Sequence, residues 1–196
     1  AIIANSGNAN ACTGPQGIQD AKAMCKATAD ALGIKMREVL VCSTGIIGMN
    51  MPIQRITPRV AELAEKLSPT GNEDAARAIM TSDTKPKTYA IEVPCKGGSF
   101  RVGGIAKGAG MICPNMATML SYIFTDAAFD AATLDRLLRA AVNGSFNALS
   151  VDTDTSTSDT CVILANGLAG AVDEAQFADA LRLGCVRMTE ILARDG

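Results

Sequence analysis

Lys107 and Thr118 stand eleven positions apart in a run that is unusual for a folded chain. Gly108 and Gly110 follow the lysine, Pro114 and Asn115 form a breaker pair, and Ala117–Thr118 opens the apolar segment Met119 to Phe124. The glycines allow close backbone approach or positive φ, and Pro-Asn supplies a turn. The pattern places the Thr118 hydroxyl where a tight loop feeds a buried strand. A hydroxyl held there beside a lysine can act as a nucleophile. The position equally suits a threonine that merely begins a strand, because β-branched residues favour strands. Lys107 likewise reads either as a solvated surface charge or as a cation that holds an anionic group of a substrate.

Other polar clusters fall at the ends of predicted elements. Glu38 to Cys42 reads as a buried strand that delivers Ser43, Thr44, Gly45 and Gly48. A glycine turn at a strand end can aim backbone N–H groups at a developing oxyanion, or it can be an ordinary turn. Thr81, Ser82, Asp83 and Thr84 follow a predicted helix and either line a pocket or end the helix. Asp152, Asp154 and Asp159 share a loop rich in serine and threonine. Their oxygens suit a hard cation, but the spacing lacks the glycine and distal glutamate of an EF-hand. A hydrogen-bonded loop near the site is the preferred reading, and no metal is expected.

These groups need an α/β framework to position them. Ile2 to Ala4 reads as a strand and Asn5 to Gly14 as a polar loop. Pro15 and Gly33 bracket a helix with Ile18, Ala21, Cys25, Ala29 and Leu32 on its inner face. A helix from Pro58 to Leu67 capped by Thr57, and a short one from Asn72 to Met80, come after it. Thr88 to Val93 and Phe100 to Ile105 flank Lys96, Gly97 and Gly98 as a hairpin that leads into the Lys107 loop. A strand from Thr118 to Thr125 comes next. A helix with Leu134, Leu137, Leu138, Ala141 and Val142 inward then ends at Asn143–Gly144. A short strand at Leu149 to Val151 and another at Cys161 to Leu164 precede a last helix, Asp173 to Leu192. That helix turns Phe177, Leu181, Cys185, Met188 and Leu192 to one side.

Composition narrows the function classes. The 196 residues are 48% hydrophobic, which supports a folded core rather than disorder. The net charge is −2 with scattered Lys and Arg, so there is no electrostatic footprint for nucleic acid or an anionic membrane. No apolar run reaches membrane-spanning length, no secretory leader is visible, and a cytoplasmic location is expected. The seven cysteines are odd in number and lack a CxxC pair, which predicts reduced, buried thiols rather than a disulfide frame or zinc site. The chain contains no histidine. That excludes Ser-His-Asp and Cys-His catalysis and histidine-ligated metals within it.

Several runs, taken in order, resemble the ornithine acetyltransferase family, also called glutamate N-acetyltransferase. They are Asn5 to Gly14, Ser43 to Gly48, Met80 to Thr84 with Pro86 and Lys87, the Lys107–Leu120 run, Asp152 to Thr160, and Arg194 to Gly196. The resemblance spans the whole chain and rests on no single motif. It implies an α/β (α+β) fold, a layered helix–sheet–sheet–helix sandwich. It further implies self-cleavage between Ala117 and Thr118, with the freed Thr118 taking acetyl from N-acetylornithine and passing it to glutamate. Thr44 and Gly45 match the family's oxyanion-stabilising pair, and Thr81 and Lys107 its substrate-binding residues. A freed N-terminal threonine needs no histidine, because its own α-amine titrates near neutrality and can take the hydroxyl proton. No cofactor is implied, although acetyl-CoA serves some members as donor. The two pieces are expected to stay together as a heterotetramer of two α and two β chains.

Two features depart from that pattern. The chain is about half the length of such enzymes, as expected of a central fragment, 1–196, of one α/β region. Ala117 and Thr118 also lie in one continuous chain, where the amine is still locked in a peptide bond. Two rival readings arise. One is a self-cleaving aminopeptidase or amidohydrolase that passes its acyl group to water. The other is an uncleaved, non-catalytic remnant that binds amino acids.

Overall fold

Parallel strands need a long crossover between them, and a helix usually supplies it. Both halves of this chain contain such a β–α–β step. The computed structural model describes residues 1–112 and 119–196, which divide into the units Ala1–Thr81 and Ser82–Gly196. No helix among the described residues is long and apolar enough to cross a membrane.

In the first unit β1 (Ile2–Asn8) pairs in parallel with β2 (Leu40–Ile46), Ile2 opposite Leu40 and Asn8 opposite Ile46. The crossover is α1 (Gly14–Leu32). It ends as its sequence requires. Gly33 takes φ 65°, a left-handed cap, and its N–H returns to the Ala29 carbonyl. Its inner face is the predicted one only in part: Ala29 is buried and Cys25 packs against the core, as expected. Asp20, Met24, Thr28 and Ala29 are buried, whereas Ile18 is 62% exposed. Gly17 lies against the entry loop, where a Cβ would come 1.9 Å from Thr13 Oγ1. Met24 and Ala29 pack in one core with Ile3, Val39, Met51 and Val60.

The helix predicted over 58–67 is three short pieces: α2 (Ile53–Ile56), a 3-10 turn (Thr57–Arg59) and α3 (Val60–Glu65). The Thr57 hydroxyl donates back to the Ile53 carbonyl, 3.1 Å away, instead of capping the turn or α3. Short α4 (Asn72–Ala78) has Gly71, not Asn72, at its N-cap.

The second unit holds a four-stranded sheet in the order β3 (Lys87–Cys95), β4 (Gly98–Lys107), β5 (Leu120–Ala127), β6 (Thr160–Gly170). The hairpin β3–β4 and the pair β4–β5 are antiparallel; β5 and β6 are parallel, with α5 (Ala131–Asn143) as their crossover. Asp130 caps α5 by accepting the Thr133 N–H at 2.8 Å, and Asp173 caps α6 (Glu174–Ala193) by accepting that of Gln176 at 2.9 Å. Phe177, Leu181, Cys185, Met188 and Leu192, the predicted inner face of α6, are all fully buried in one core with Phe100, Val102 and Ile123. The short strand predicted at 149–151 does not form, and Phe146–Ala148 makes a 3-10 turn just before it. The expected mixed α/β class is borne out. Buried thiols are borne out only in part: Cys42 and Cys185 are buried, but Cys12 is exposed.

One packing contact joins β3, β4 and α6. Tyr89 lies opposite Gly104 in the hairpin register. A Cβ on Gly104 would come within 3.0 Å of the Tyr89 ring, and one on Gly184 within 2.3 Å. The ring fills the space that two glycines leave between strand and helix, a cross-strand cover of glycine by an aromatic. Burial pushes the Tyr89 hydroxyl well above its ordinary pKa, and its oxygen finds no hydrogen-bond partner among the described residues. Gly184→Ala should therefore cost ~1–3 kcal/mol through overpacking. Tyr89→Phe should be neutral or stabilise by up to ~1 kcal/mol. Urea unfolding of the two variants measures both.

Candidate functional site

The hairpin positions Lys107 as the last residue of β4, next in chain to Ala106, the partner of Lys87. Four charged side chains gather there. Lys87 Nζ donates to Asp83 Oδ1 at 2.6 Å and to Asp195 Oδ2 at 2.5 Å. Asp83 Oδ1 also accepts the Gly108 N–H at 2.6 Å, and Asp83 Oδ2 faces Lys107 Nζ at 3.8 Å. Asp195 accepts the Thr84 N–H at 3.1 Å and the Thr84 hydroxyl. The four side chains are at most 1% exposed. Charge-assisted bonds of this kind are strong, and the burial of these ions demands them.

Lys107 stands further from its carboxylate than Lys87 does from either of its own. Burial pushes the Lys107 ammonium below the usual lysine range, and the nearby Lys87 charge adds to that; Asp83 and Asp159 pull the other way without restoring it. Such a group gains from an incoming carboxylate. Asp195 behaves oppositely. Burial alone would raise its carboxyl, but the bonds from Lys87 and Thr84 outweigh burial and hold it down to about 2.

In the first unit the structure corrects the sequence reading around Thr44 and Gly45. They do not form a glycine turn but lie within β2, which runs on to Ile46, and the supposed loop Asn5–Asn8 is the strand beside it. Polar side chains are tolerated in these strands because they find backbone partners. Asn5 Nδ2 donates to the Asn8 carbonyl at 2.8 Å, Ser6 Oγ to that of Ala78 at 2.7 Å, and Asn8 Nδ2 to that of Met49 at 3.1 Å.

Gly45 sits opposite Gly7 with φ 132°, and a Cβ on it would lie 2.3 Å from the Gly7 carbonyl carbon. Both the conformation and the close approach require glycine. The strand ends are tied beyond this point: Ala9 N–H to Ile46 O at 2.9 Å, Gly48 N–H to Ala11 O at 3.0 Å, and Asn10 N–H to Ser43 Oγ at 2.7 Å. Thr44, 1% exposed, and Gly45 thus stand side by side on a fixed strand end. A buried hydroxyl next to a glycine amide is a suitable pair of oxyanion donors.

The remaining predicted residues separate. Thr81 is exposed and ends the first unit. Thr118 and Ala117, with their junction and Cys113, lie outside the described residues. The aspartate loop is hydrogen-bonded, as expected: Asp152 and Asp159 accept N–H groups of Met111, Ile112 and Met119. Sequence reasoning assigned no role to Lys87 and Asp195 and left Asp83 undecided between pocket and helix end. Only the identity of Asp195 in a family-like run, and a lysine placed at a strand start, could have drawn attention to them.

Removing one member of the buried cluster should cost more than an exposed pair would. Lys87→Met takes from Asp83 its nearer cation and from Asp195 its lysine partner, and should destabilise by ~3–5 kcal/mol in urea unfolding. The folded-state carboxyl of Asp195 lies near 2 against an ordinary 3.8. Its ionisation therefore contributes stability that is complete above pH ~4 and is lost as pH falls toward about 2. Unfolding followed across that window should show Asp195→Asn lacking this part of the acid loss.

A model of the ArgJ family matches residues 1–196. An arginine biosynthesis bifunctional protein ArgJ from Symbiobacterium thermophilum is 49% identical over 203 residues, covering 100% of this chain and 50% of that protein. The glutamate N-acetyltransferase Oat2 of Streptomyces clavuligerus is 45% identical over 195 residues, covering 100% and 49%. Among solved structures, ornithine acetyltransferase from Mycobacterium tuberculosis, complexed with ornithine, aligns with TM-score 0.55 and 42% identity over 59% of this chain and 62% of that one. The ArgJ protein of Bacillus halodurans aligns with TM-score 0.54 and 41% identity over 59% and 61%. The chain spans about half the length of the curated relatives it matches. The motifs and the whole-length match agree, and the chain belongs to the ArgJ family.

Proposed function

We propose that the protein containing this chain is an acetyltransferase of arginine biosynthesis that moves acetyl from N2-acetylornithine to glutamate through an acetyl-threonine on Thr118. The observation that carries this reading is the family match along the whole chain, with a relative matched over that whole length named as a glutamate N-acetyltransferase. Self-cleavage comes first. Thr118 Oγ bonds to the Ala117 carbonyl carbon, its proton passes to the departing amide nitrogen, and water then hydrolyses the resulting ester. The products are the Ala117 carboxylate and a free Thr118 amine.

In turnover that amine takes the hydroxyl proton while Oγ attacks the acetyl amide, and ornithine leaves as its amine. Glutamate then attacks the acetyl ester and regenerates the threonine. Thr44 and Gly45 stabilise the oxyanion of both tetrahedral intermediates. Lys107, buried and with its charged form disfavoured there, pairs with the substrate's α-carboxylate, and Thr81 contacts the same amino acid. The two pieces remain together, two of each in a heterotetramer. No metal takes part, and acetyl-CoA is a second donor to be tried in the same assay.

The denatured mass of the full-length product should show two pieces that meet between Ala117 and Thr118, and Thr118→Ala should give one intact chain. Thr44→Ala should lower kcat by on the order of 10²–10³. Lys107→Ala should raise KM for N-acetylornithine; unchanged KM and kcat would remove Lys107 from the site. Acetyl passing to water in place of glutamate would instead mark a self-cleaving hydrolase.

A further inference from the structure

Asp83 stands between two lysines and spends its oxygens on them differently. Oδ1 accepts from Lys87 Nζ at 2.6 Å and from the Gly108 N–H at 2.6 Å, whereas Oδ2 faces Lys107 Nζ at 3.8 Å. The bond to the Gly108 amide is short, and the contact with the lysine just before it is an ion pair beyond hydrogen-bond length. Asp83 therefore reaches Lys107–Gly108 twice, through the backbone at Gly108 and by charge at Lys107. Neutralising Lys87 does not by itself require Asp83, because Lys87 has a second carboxylate in Asp195 at 2.5 Å. All of these groups belong to the unit Ser82–Gly196.

Three charged groups act on the Lys107 ammonium. Burial disfavours its charged form most strongly and Lys87 adds to that, while Asp83 and, less strongly, Asp159 favour it. Asp159 belongs to the loop before β6 and gives its Oδ1 to the Met119 N–H at 2.8 Å. Asp195, the remaining charge of the cluster, meets Lys87 and Thr84. Asp83 is thus the chief support of the Lys107 charge. An ammonium carries three N–H donors. A carboxylate 3.8 Å away sustains the charge without itself taking one of those donors in a short bond.

We propose that Asp83 is a positioning residue for substrate binding, which through the Gly108 amide and its own charge holds the Lys107 ammonium in place and charged for the α-carboxylate of the amino-acid substrate. This rests on the reading that Lys107 binds that carboxylate. Lys87 clamps Asp83, and Asp195 holds Lys87 in turn. A cation fixed before its partner arrives loses less freedom on binding, which is where such a clamp acts. Asp83 also repels an incoming anion, so it favours binding only through what it does to the lysine. That makes the direction of its effect a test in itself.

The test is KM for N-acetylornithine and kcat of the full-length protein, followed across pH beside the urea midpoint. Asp83→Asn should raise KM roughly tenfold at neutral pH with kcat little changed. Burial already lowers the Lys107 ammonium, and losing the Asp83 charge lowers it further, so the rise of KM with pH should set in at lower pH than in the wild type. Asp83→Glu keeps the charge but displaces it, and should raise KM with the onset at the wild-type pH. Asp195→Asn removes the carboxylate that meets Lys87 and should lower the urea midpoint while the onset stays in place. Wild-type or lowered KM in Asp83→Asn would overturn the proposal. An onset moved equally by Asp195→Asn would do the same, since it marks a general effect of the cluster. Should Asp83→Asn not fold, Asp83→Glu decides, and wild-type KM in it overturns the proposal. Wild-type KM in Lys107→Ala would instead sink the reading of Lys107, and this proposal with it.

Discussion

Two ammonium groups and two carboxylates meet almost without water where β3 begins and β4 ends. Taking each ion out of water costs several kcal/mol, and only near-ideal partners return it. Asp83 is the hub. One of its oxygens binds Lys87 and the Gly108 amide, and the other faces Lys107. A single carboxylate therefore fixes the start of one strand, the end of its neighbour and the first residue of the loop beyond. Asp195 closes the set by bringing the residues after α6 against the same lysine and against Thr84. Because the arrangement is costly to leave half made, the site end of the hairpin has little freedom to drift.

The first unit solves a comparable problem by sterics. Its parallel strands carry glycine opposite glycine at Gly7 and Gly45, where an added Cβ would sit at 2.3 Å from the facing backbone. Close approach replaces side-chain packing at this end, and a cluster of side-chain-to-backbone hydrogen bonds then locks the exit loops. A pair of oxyanion donors must be held still before charge develops, since reorganisation during the reaction would forfeit much of the stabilisation. On the proposed reading Thr44 and Gly45 are such a pair, and they lie beside that close approach of the two backbones.

How legible this was depends on the range of the forces involved. The hairpin and helices α5 and α6 arise from periodicity and caps, which are local, and the structure agrees nearly residue for residue. The burial of Asp20 and Thr28 on α1 was not legible, because polar residues carry no apolar pattern and Ile18, which does, is exposed. Asn5 to Asn8 look like loop by composition, yet parallel pairing with β2 makes them strand, a tertiary choice that overrides propensity. The buried cluster is the extreme case. Asp83 and Lys87 are four residues apart, but Pro86 rules out a helical pair, and Asp195 lies more than a hundred residues further on. The motifs around Thr44, Thr81, Lys107 and Thr118 were legible only through family resemblance, since each run taken alone has an ordinary structural reading.

The absence of histidine ties these features together. On the proposed reading the base is the α-amine of Thr118, and that amine does not exist until its peptide bond is cut. Self-cleavage then has to proceed without the base that later serves turnover, so geometry must carry more of the first reaction than of the second.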